Sequence, residues 1–312
     1  MADTSSPVAG GMDNKKSLDY VGILKNAFNI VRHNRYLWYL GILAGTAGSG
    51  YGGNFGGSSG RTNSSGDLDV NQVWTEALKW IQAHIVLIIV VSSILLILCI
   101  VFTVLSNMAK AGLVHSVDSL SRNEESSFGK AMKFGWHKFW RVFGSGFLIG
   151  LAVLGIIILL MVPIVAVLFI NPLASIPIVL IALPVMFFVT VISGIIYQYS
   201  LRYISLKDEK VIVSIKSGYG LLKRKKKDTA LIWLIAAGVS MVFGIALVFA
   251  ILLVALILFL LGLLLFIISQ FAGIIYVVVA ATAFIVFLFV AGGFISSLVS
   301  AYWTLCFKEM IE

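Results

Sequence analysis

The sequence predicts an all-α integral membrane protein, and three charge-free tracts are the reason. No Asp, Glu, Lys, Arg or His occurs from Thr229 to Phe307, from Val142 to Leu201 or from Ile85 to Ala109. About 20 apolar helical residues cross a bilayer core of roughly 30 Å, so the two longer tracts each cross it more than once. Composition agrees, because 60% of the 312 residues are hydrophobic and 12% are charged, whereas soluble domains have about 25% charged residues.

The N-terminal part of the chain predicts a tail, a short first helix and a loop. Residues 1–16 are polar and lack the apolar segment of a cleavable signal peptide, so we expect a disordered cytoplasmic tail. Residues 17–312 are expected to form a single helical membrane domain. Its first apolar stretch, Tyr36 to about Gly48, is short for a spanning helix. A Gly- and Ser-rich segment then predicts a flexible external loop at about residues 48–70.

The remaining apolar tracts predict five further spanning helices. The first of these covers about Ile85 to Ser106. The turn at Asn171-Pro172 divides the second tract into two helices, and weaker breaks at Gly262 and around Ser269 divide the last tract into two. The total is about six spanning helices, arranged as three hairpins.

The distribution of positive charge predicts the orientation. Of the 23 Lys and Arg residues, all but Arg61 and Lys79 fall on one side of this arrangement. Because loops rich in Lys and Arg stay in the cytoplasm, both termini are expected to be cytoplasmic in a multi-pass protein of the cell membrane. The net charge of +9 is explained by the same rule, so no nucleic-acid partner is expected.

Three short strings indicate an internal repeat. Each reads aliphatic, Lys, variable, small, aromatic, and each precedes a predicted hairpin within an amphipathic stretch. Such stretches favour helices that lie in the headgroup plane. The fold class is thus three hairpins, each preceded by a cytoplasmic amphipathic interfacial helix; the alternative is that any amphipathic helix entering a membrane shares this pattern. The strings are Leu24 to Phe28, Met132 to Trp136 and Ile215 to Tyr219.

Three longer segments carry a resemblance to a known family. These are Ser127 to Phe143, Lys207 to Leu222 and Tyr302 to Met310. The chain resembles the membrane domain attached to some bacterial glycerophosphoryl diester phosphodiesterases, and uncharacterised bacterial proteins that have the membrane part alone. It lacks the soluble phosphodiesterase barrel and the acidic and histidine set that would hold the metal. The resemblance implies the fold and not the catalysis.

No residue pattern predicts catalysis, a metal site or a cofactor site. Gly48, Gly50 and Gly53 match G-x-G-x-x-G, but no strand precedes them and no acidic residue follows at dinucleotide spacing. The two cysteines, Cys99 and Cys306, support neither a disulfide framework nor a metal site. The four histidines are scattered near predicted membrane ends and never pair at i, i+4. We therefore expect a non-enzymatic protein. The histidines are His33, His84, His115 and His137.

One basic run is the candidate site for anionic lipid. Each cation near an anionic leaflet contributes about 1 kcal/mol of binding, and this run directly follows a predicted interfacial helix. The alternative is that the run only sets topology. Its residues are Lys223, Arg224, Lys225, Lys226 and Lys227.

Two rows of small residues on the last helix are the candidate packing faces. Close backbone approach over small residues holds membrane helices together, either within the chain or between copies. One row is Gly292, Ser296 and Ser300, and the other is Gly293, Ser297 and Ala301.

Two functions remain open from the sequence. The first is a non-enzymatic membrane protein that engages anionic lipid or a protein partner at the cytoplasmic face, with a homo-oligomer as a further possible assembly. The second is a small permease or lipid transporter with a cavity between the hairpins. No ionisable group is evident inside the predicted bundle, but a polar end of the fourth helix leaves sodium coupling open. That polar end contains Ser193, Tyr197, Gln198, Tyr199 and Ser200.

Overall fold

The computed structural model describes residues 18–46, 78–170 and 172–311, and these residues form helices without any strand. The predicted tail (1–16) and the predicted loop (48–70) lie outside them. Residues 78–83 are helical and lead through a turn at His84 into the third helix below. The main helices are α1 (Tyr20–His33), α2 (Tyr36–Thr46), α3 (Ile85–Ser121), α4 (Phe128–Ile170), α5 (Pro172–Lys207), α6 (Val211–Arg224), α7 (Lys226–Ile268) and α8 (Gln270–Ile311).

Five of these helices are long and apolar enough to cross a membrane. They contain 36 to 43 residues each. At 1.5 Å per residue their lengths are about 54 to 65 Å, well beyond the roughly 30 Å of a hydrocarbon core. The prediction of an all-α, multi-pass membrane protein is therefore confirmed. The five are α3, α4, α5, α7 and α8.

The first predicted span differs from the other five. It is α2, which has 11 residues and is thus about 16 Å long, half of a bilayer core. Leu37 and Leu40 of α2 are fully buried, because the helix packs between α3 and α8. The Trp38 indole donates a hydrogen bond to the Val31 carbonyl oxygen at 2.8 Å and fixes α2 against the end of α1. Among the described residues, five helices are thus long enough to cross a bilayer alone, and α2 is too short to do so.

The second amphipathic stretch is not a separate interfacial helix. It forms the first turns of α4, a single helix whose one internal proline is Pro163. No proline interrupts the backbone hydrogen bonds between the stretch and the apolar part, so the helix continues. The other two amphipathic stretches, α1 and α6, are separate helices of 14 residues each.

The buried core lies at the end of the molecule that carries the charged residues. It is built mainly from α1, α2 and the ends of α3, α5 and α8 that lie nearest the charged residues, with Tyr199, Trp303 and Phe307 among its largest side chains. By contrast, the most apolar 18-residue windows of α3, α4, α7 and α8 contain no buried residue. The protein is therefore packed against itself at the charged end, and it presents Leu, Ile, Val and Phe side chains outward along the apolar parts.

Each amphipathic stretch packs on the long helix that precedes it in the chain, and the first stretch, which has no preceding helix, packs on the last one. The start of α4 contacts α3, α6 contacts α5, and α1 contacts α8. The contacts are close at small residues: a Cβ added to Gly135 would lie 2.8 Å from the Met108 carbonyl carbon. One added to Gly218 would lie 3.2 Å from the Ile196 carbonyl oxygen. Ala27 occupies the corresponding position of its string and is fully buried.

Candidate functional site

The basic run is divided by a helix junction. Helix α6 ends at Arg224 and α7 begins at Lys226. The Lys225 ammonium donates to the Met310 carbonyl oxygen at 2.7 Å and so satisfies an acceptor at the C-terminal end of α8. Lys223, Arg224, Lys226 and Lys227 are exposed. Four of the five predicted lipid-binding residues thus face outward, and the fifth ties α8 to the junction.

Apolar and aromatic side chains are exposed on α6 and near the start of α4. Trp136 and Trp140, near the start of α4, are 62% and 76% exposed. On α6, Ile212 and Tyr219 are also exposed, while Ser214 and Gly218 form the buried face. Exposed Lys130, Lys133 and Lys216 lie on the same two helical segments. We call Trp136, Trp140, Ile212 and Tyr219 the outer apolar surface. Exposed tryptophan beside exposed lysine is typical of side chains at a membrane interface.

A charged clamp holds the α5–α6 connection against α4. The Asp208 carboxylate accepts hydrogen bonds from Lys138 and Arg141. Arg141 also donates to the Asp208 carbonyl oxygen at 3.1 Å. Asp208 itself has φ 56°, a left-handed conformation that Asn and Asp adopt more readily than most residues. The hydrogen bond from Lys138 and the two positive charges hold the pKa of the Asp208 carboxyl below its usual value.

We expect this clamp to make stability depend on acid. Because the folded-state pKa is lowered, the contribution is complete above the ordinary carboxyl pKa of about 4 and is lost as the pH falls through the lowered value. Asp208→Asn removes the charge and tolerates the left-handed φ. The thermal unfolding midpoint of this variant should lie below that of the wild type at neutral pH and converge with it in acid. A gap that stays constant down to acid would contradict the clamp.

A second ionic contact joins the ends of α3 and α8. The Lys308 ammonium lies 2.8 Å from Asp118 Oδ1 and donates to the Ser121 hydroxyl at 2.9 Å. Arg122 approaches the other oxygen of the same carboxylate at 3.0 Å. Together with the Lys225 contact, this pair anchors the last turns of α8 at the charged end.

A cavity of about 380 Å³ lies between α3, α4 and α5, next to the buried core. One wall is apolar, and the other carries hydroxyl, amide and ammonium groups. Phe147, Gly150 and Thr190 are exposed, so the cavity opens at the surface of the protein, between the helices. Its lining residues are Asn107, Lys110, Phe143, Gly146, Phe147, Ile149, Gly150, Thr190, Ser193, Gly194, Tyr197 and Gln198.

Lys110 is the charged residue of this cavity. Its side chain is buried, with the residue 9% exposed, and its ammonium lies 5.8 Å from the centroid of the Tyr197 ring. No carboxylate of the described residues forms an ion pair with it. A buried charge is costly unless it is paired, so a buried lysine facing a cavity without a carboxylate favours an anionic ligand.

Arg202 lies directly behind the same wall. Its side chain is fully buried, and one guanidinium nitrogen donates to the Gln198 backbone oxygen at 2.6 Å and to the Gln198 side-chain oxygen at 2.8 Å. The other donates to the Ser300 carbonyl oxygen at 3.1 Å. In the described part of the chain, Arg202 also has no carboxylate in an ion pair. Because Arg202 occupies the Gln198 oxygen, the amide nitrogen of Gln198 is the group left to donate into the cavity.

The sequence interpretation missed both of these cations. It placed Lys110 and Arg202 with the cytoplasmic basic residues and found no ionisable group inside the bundle, whereas the structure buries both. A signal was present: Arg202 follows Gln198 by four residues, and Lys110 follows Asn107 by three, so each shares a helix face with an amide. The polar end predicted for the fourth spanning helix belongs to α5. Its residues Ser193, Tyr197 and Gln198 line the cavity. Tyr199 and Ser200 face other helices, bonding Thr229 and Ser214.

The two small-residue rows of α8 differ in how deeply they are buried. Gly293, Ser297 and Ala301 are buried, and the Ser297 hydroxyl donates to the Leu37 carbonyl oxygen at 2.6 Å. A Cβ on Gly293 would lie 2.6 Å from the Trp38 carbonyl oxygen, whereas one on Gly292 would meet nothing within 4 Å. The row that begins at Gly293 is therefore the contact with α2. Ser296 and Ser300 in the other row are partly buried.

The structure has a further cavity, and one of its histidines is stacked on an aromatic ring. The cavity, about 430 Å³, lies between α1, α7 and α8 and is lined mainly by apolar side chains, with Lys25 and Asn29 among them. Among the described residues, no group of three or more His, Cys, Asp or Glu could hold a metal ion. His115 stacks on Phe134 with ring centroids 4.0 Å apart, which is a packing contact.

The structure has five long apolar helices whose charged ends pack together around a buried core. This architecture defines a multi-pass α-helical membrane protein. The chain belongs to DUF7544, a family of unknown function whose model matches residues 32–305. No curated protein and no solved structure matches it.

Proposed function

We propose that the protein is a non-enzymatic membrane protein whose charged end engages anionic lipid at the cytoplasmic face. The observation that carries this proposal is the outer apolar surface with exposed cations beside it. The segments that bear it bury small residues, such as Gly135 and Gly218, against the protein. Their tryptophan, tyrosine and lysine side chains are left outside, which is the combination that headgroups and the acyl boundary accommodate.

The proposal includes three repeated units and six crossings. Each unit would contain an amphipathic segment and two helices, and the cyclic contacts of α1, α4 and α6 support this arrangement. In it, α2 supplies the first, short crossing, and both termini lie in the cytoplasm of a cell membrane protein. The resemblance to the membrane domain of glycerophosphoryl diester phosphodiesterases would then concern this repeated fold.

Retention of lipid by the purified protein tests the proposal. We expect native mass spectrometry of wild type, equilibrated with equal amounts of phosphatidylglycerol and phosphatidylcholine, to show preferential binding of phosphatidylglycerol. Neutralising Lys223, Arg224, Lys226 and Lys227 with Gln should lower that preference by at least about tenfold, since each cation contributes about 1 kcal/mol. Lys225 is left unchanged because it holds the end of α8.

The matched control replaces Lys223, Lys226 and Lys227 with Arg, and Arg224 with Lys. This variant keeps the number of charges and should keep the preference for phosphatidylglycerol. Equal retention of the two lipids by the wild type would contradict the proposal. An unchanged preference in the neutralised variant would limit the basic run to setting topology and place any partner contact elsewhere.

Transport is the second candidate function, and the cavity between α3, α4 and α5 favours it. A transporter needs space between its helices for a substrate, and this cavity has both apolar and polar walls. Lys110 provides the ionisable group that the sequence interpretation did not find inside the bundle.

A further inference from the structure

We infer that the cavity between α3, α4 and α5 is a binding site for a single anionic phospholipid, with the phosphate at Lys110 and an acyl chain along Phe143 and Phe147. The inference rests on the proposed function, which it deepens: the basic run would attract anionic lipid generally, whereas this cavity would hold one molecule.

The charge of the cavity selects an anion. The Lys110 ammonium is buried without a carboxylate partner among the described residues. Arg202, held against Gln198, adds a second unneutralised positive charge behind the wall. Ammonium and amide groups are hydrogen-bond donors that a phosphate oxygen accepts. A cation would meet repulsion from both charged side chains.

The shape and lining select an amphiphile over a small soluble anion. Phe143, Phe147 and Ile149 cover the side of the cavity that belongs to α4, and two glycines, Gly146 and Gly150, leave room between them. Ligand cavities of roughly 300 to 1,000 Å³ with mostly apolar walls and a few polar groups are typical of small-molecule sites. The cavity opens between the helices where Phe147 is 58% exposed, so an acyl chain can leave it toward the surrounding lipid.

The position of the cavity along the helices agrees with a headgroup site. On α4 it begins two residues after Arg141, and on α5 it ends four residues before Arg202. It therefore lies just inside the boundary between the charged end and the charge-free tracts. A phosphate at this level would keep its headgroup near the interface while its chains enter the apolar layer.

Two variants test the site by different routes. Lys110→Gln removes the charge and keeps the volume; we expect about tenfold weaker phosphatidylglycerol binding in a native mass spectrometry titration, because a hydrogen bond to a charged group is lost. Gly150→Leu keeps the charge and adds a large side chain to the cavity lining, where a Cβ meets nothing within 4 Å. It should remove the tightest bound lipid.

Each variant has a matched control. Lys79→Gln makes the same charge change at an exposed residue that precedes α3, away from the charged end, and Gly155→Leu adds the same side chain on α4 where a Cβ also meets nothing within 4 Å. Both should bind phosphatidylglycerol as the wild type does. Size-exclusion profiles and thermal midpoints identify any variant that fails to fold. If one of Lys110→Gln and Gly150→Leu does not fold, the other one tests the site.

The outcomes separate this inference from the proposed function. If Lys110→Gln and Gly150→Leu bind phosphatidylglycerol like the wild type while the neutralised basic run loses it, the cavity site is wrong and the surface proposal stands. If the wild type shows no preference for phosphatidylglycerol, both are wrong. If glycerol phosphate displaces the bound lipid at similar concentration, the site recognises a soluble phosphate, and the lipid assignment is overturned.

Discussion

Gly293→Ala is expected to lower the free energy of unfolding by about 1 to 3 kcal/mol, the usual range for overpacking a filled interface. The added methyl group would lie 2.6 Å from the Trp38 carbonyl oxygen and even closer to the Ile42 side chain. Since the Trp38 oxygen belongs to the α2 backbone, α2 would have to move away from α8. That movement would also stretch the hydrogen bond from Ser297 to Leu37.

The neighbouring glycine is a control of the same type on the same helix. Gly292 is exposed, and a Cβ there meets nothing within 4 Å. Gly292→Ala should leave stability unchanged or raise it by up to about 1 kcal/mol, because Ala favours helix over Gly. Thermal unfolding midpoints in one detergent compare the two variants. If both lower the midpoint equally, the effect comes from α8 itself and the α2 contact is not responsible.

Gly135→Ala is expected to be similarly damaging, at the contact between the start of α4 and α3. A methyl group at this position would lie 2.8 Å from the Met108 carbonyl carbon, so two backbones would have to separate. Met108 lies two residues before Lys110, and the displacement would therefore also disturb the cavity wall. We expect a loss of about 1 to 3 kcal/mol in the free energy of unfolding, together with weaker retention of phosphatidylglycerol.

Gly129 provides the comparison for this position. It lies in the first turn of α4, is exposed and has no atom within 4 Å of an added Cβ. Gly129→Ala should match or exceed wild-type stability and leave lipid binding unchanged. The same midpoints and lipid titrations serve for both variants. A harmless Gly135→Ala would show that the amphipathic segment of α4 does not pack closely on α3.

The sequence predicted the class of fold because hydrophobic length is a local property. The tract from Thr229 to Phe307 fixes its own membrane location whatever it packs against. The same reasoning placed the first span at Tyr36 to about Gly48, but it could not show that α2 is held between α3 and α8. It also could not show that the second amphipathic stretch continues into α4, since local periodicity does not mark where a helix without a break ends.

The candidate site was harder to predict from the sequence than the fold, because the burial of a charge depends on neighbours that are distant in the chain. Lys110 and Arg202 stand at the edges of charge-free tracts and have the sequence context of topology signals. Only packing shows that Arg202 bonds Ser300, 98 residues away. The same applies to Lys225, which belongs to the basic run in sequence but bonds Met310, 85 residues away.

The central claim, that the charged end engages anionic lipid, is tested most directly by tryptophan quenching in reconstituted vesicles. Bromine-labelled lipids quench nearby indoles, and Trp136 and Trp140 lie exposed on the helical segment that also carries exposed Lys130 and Lys133. Brominated phosphatidylglycerol should quench wild type more strongly than brominated phosphatidylcholine at equal amounts, and the difference should shrink in a variant with both residues changed to Phe. Equal quenching by the two lipids in the wild type would contradict the claim.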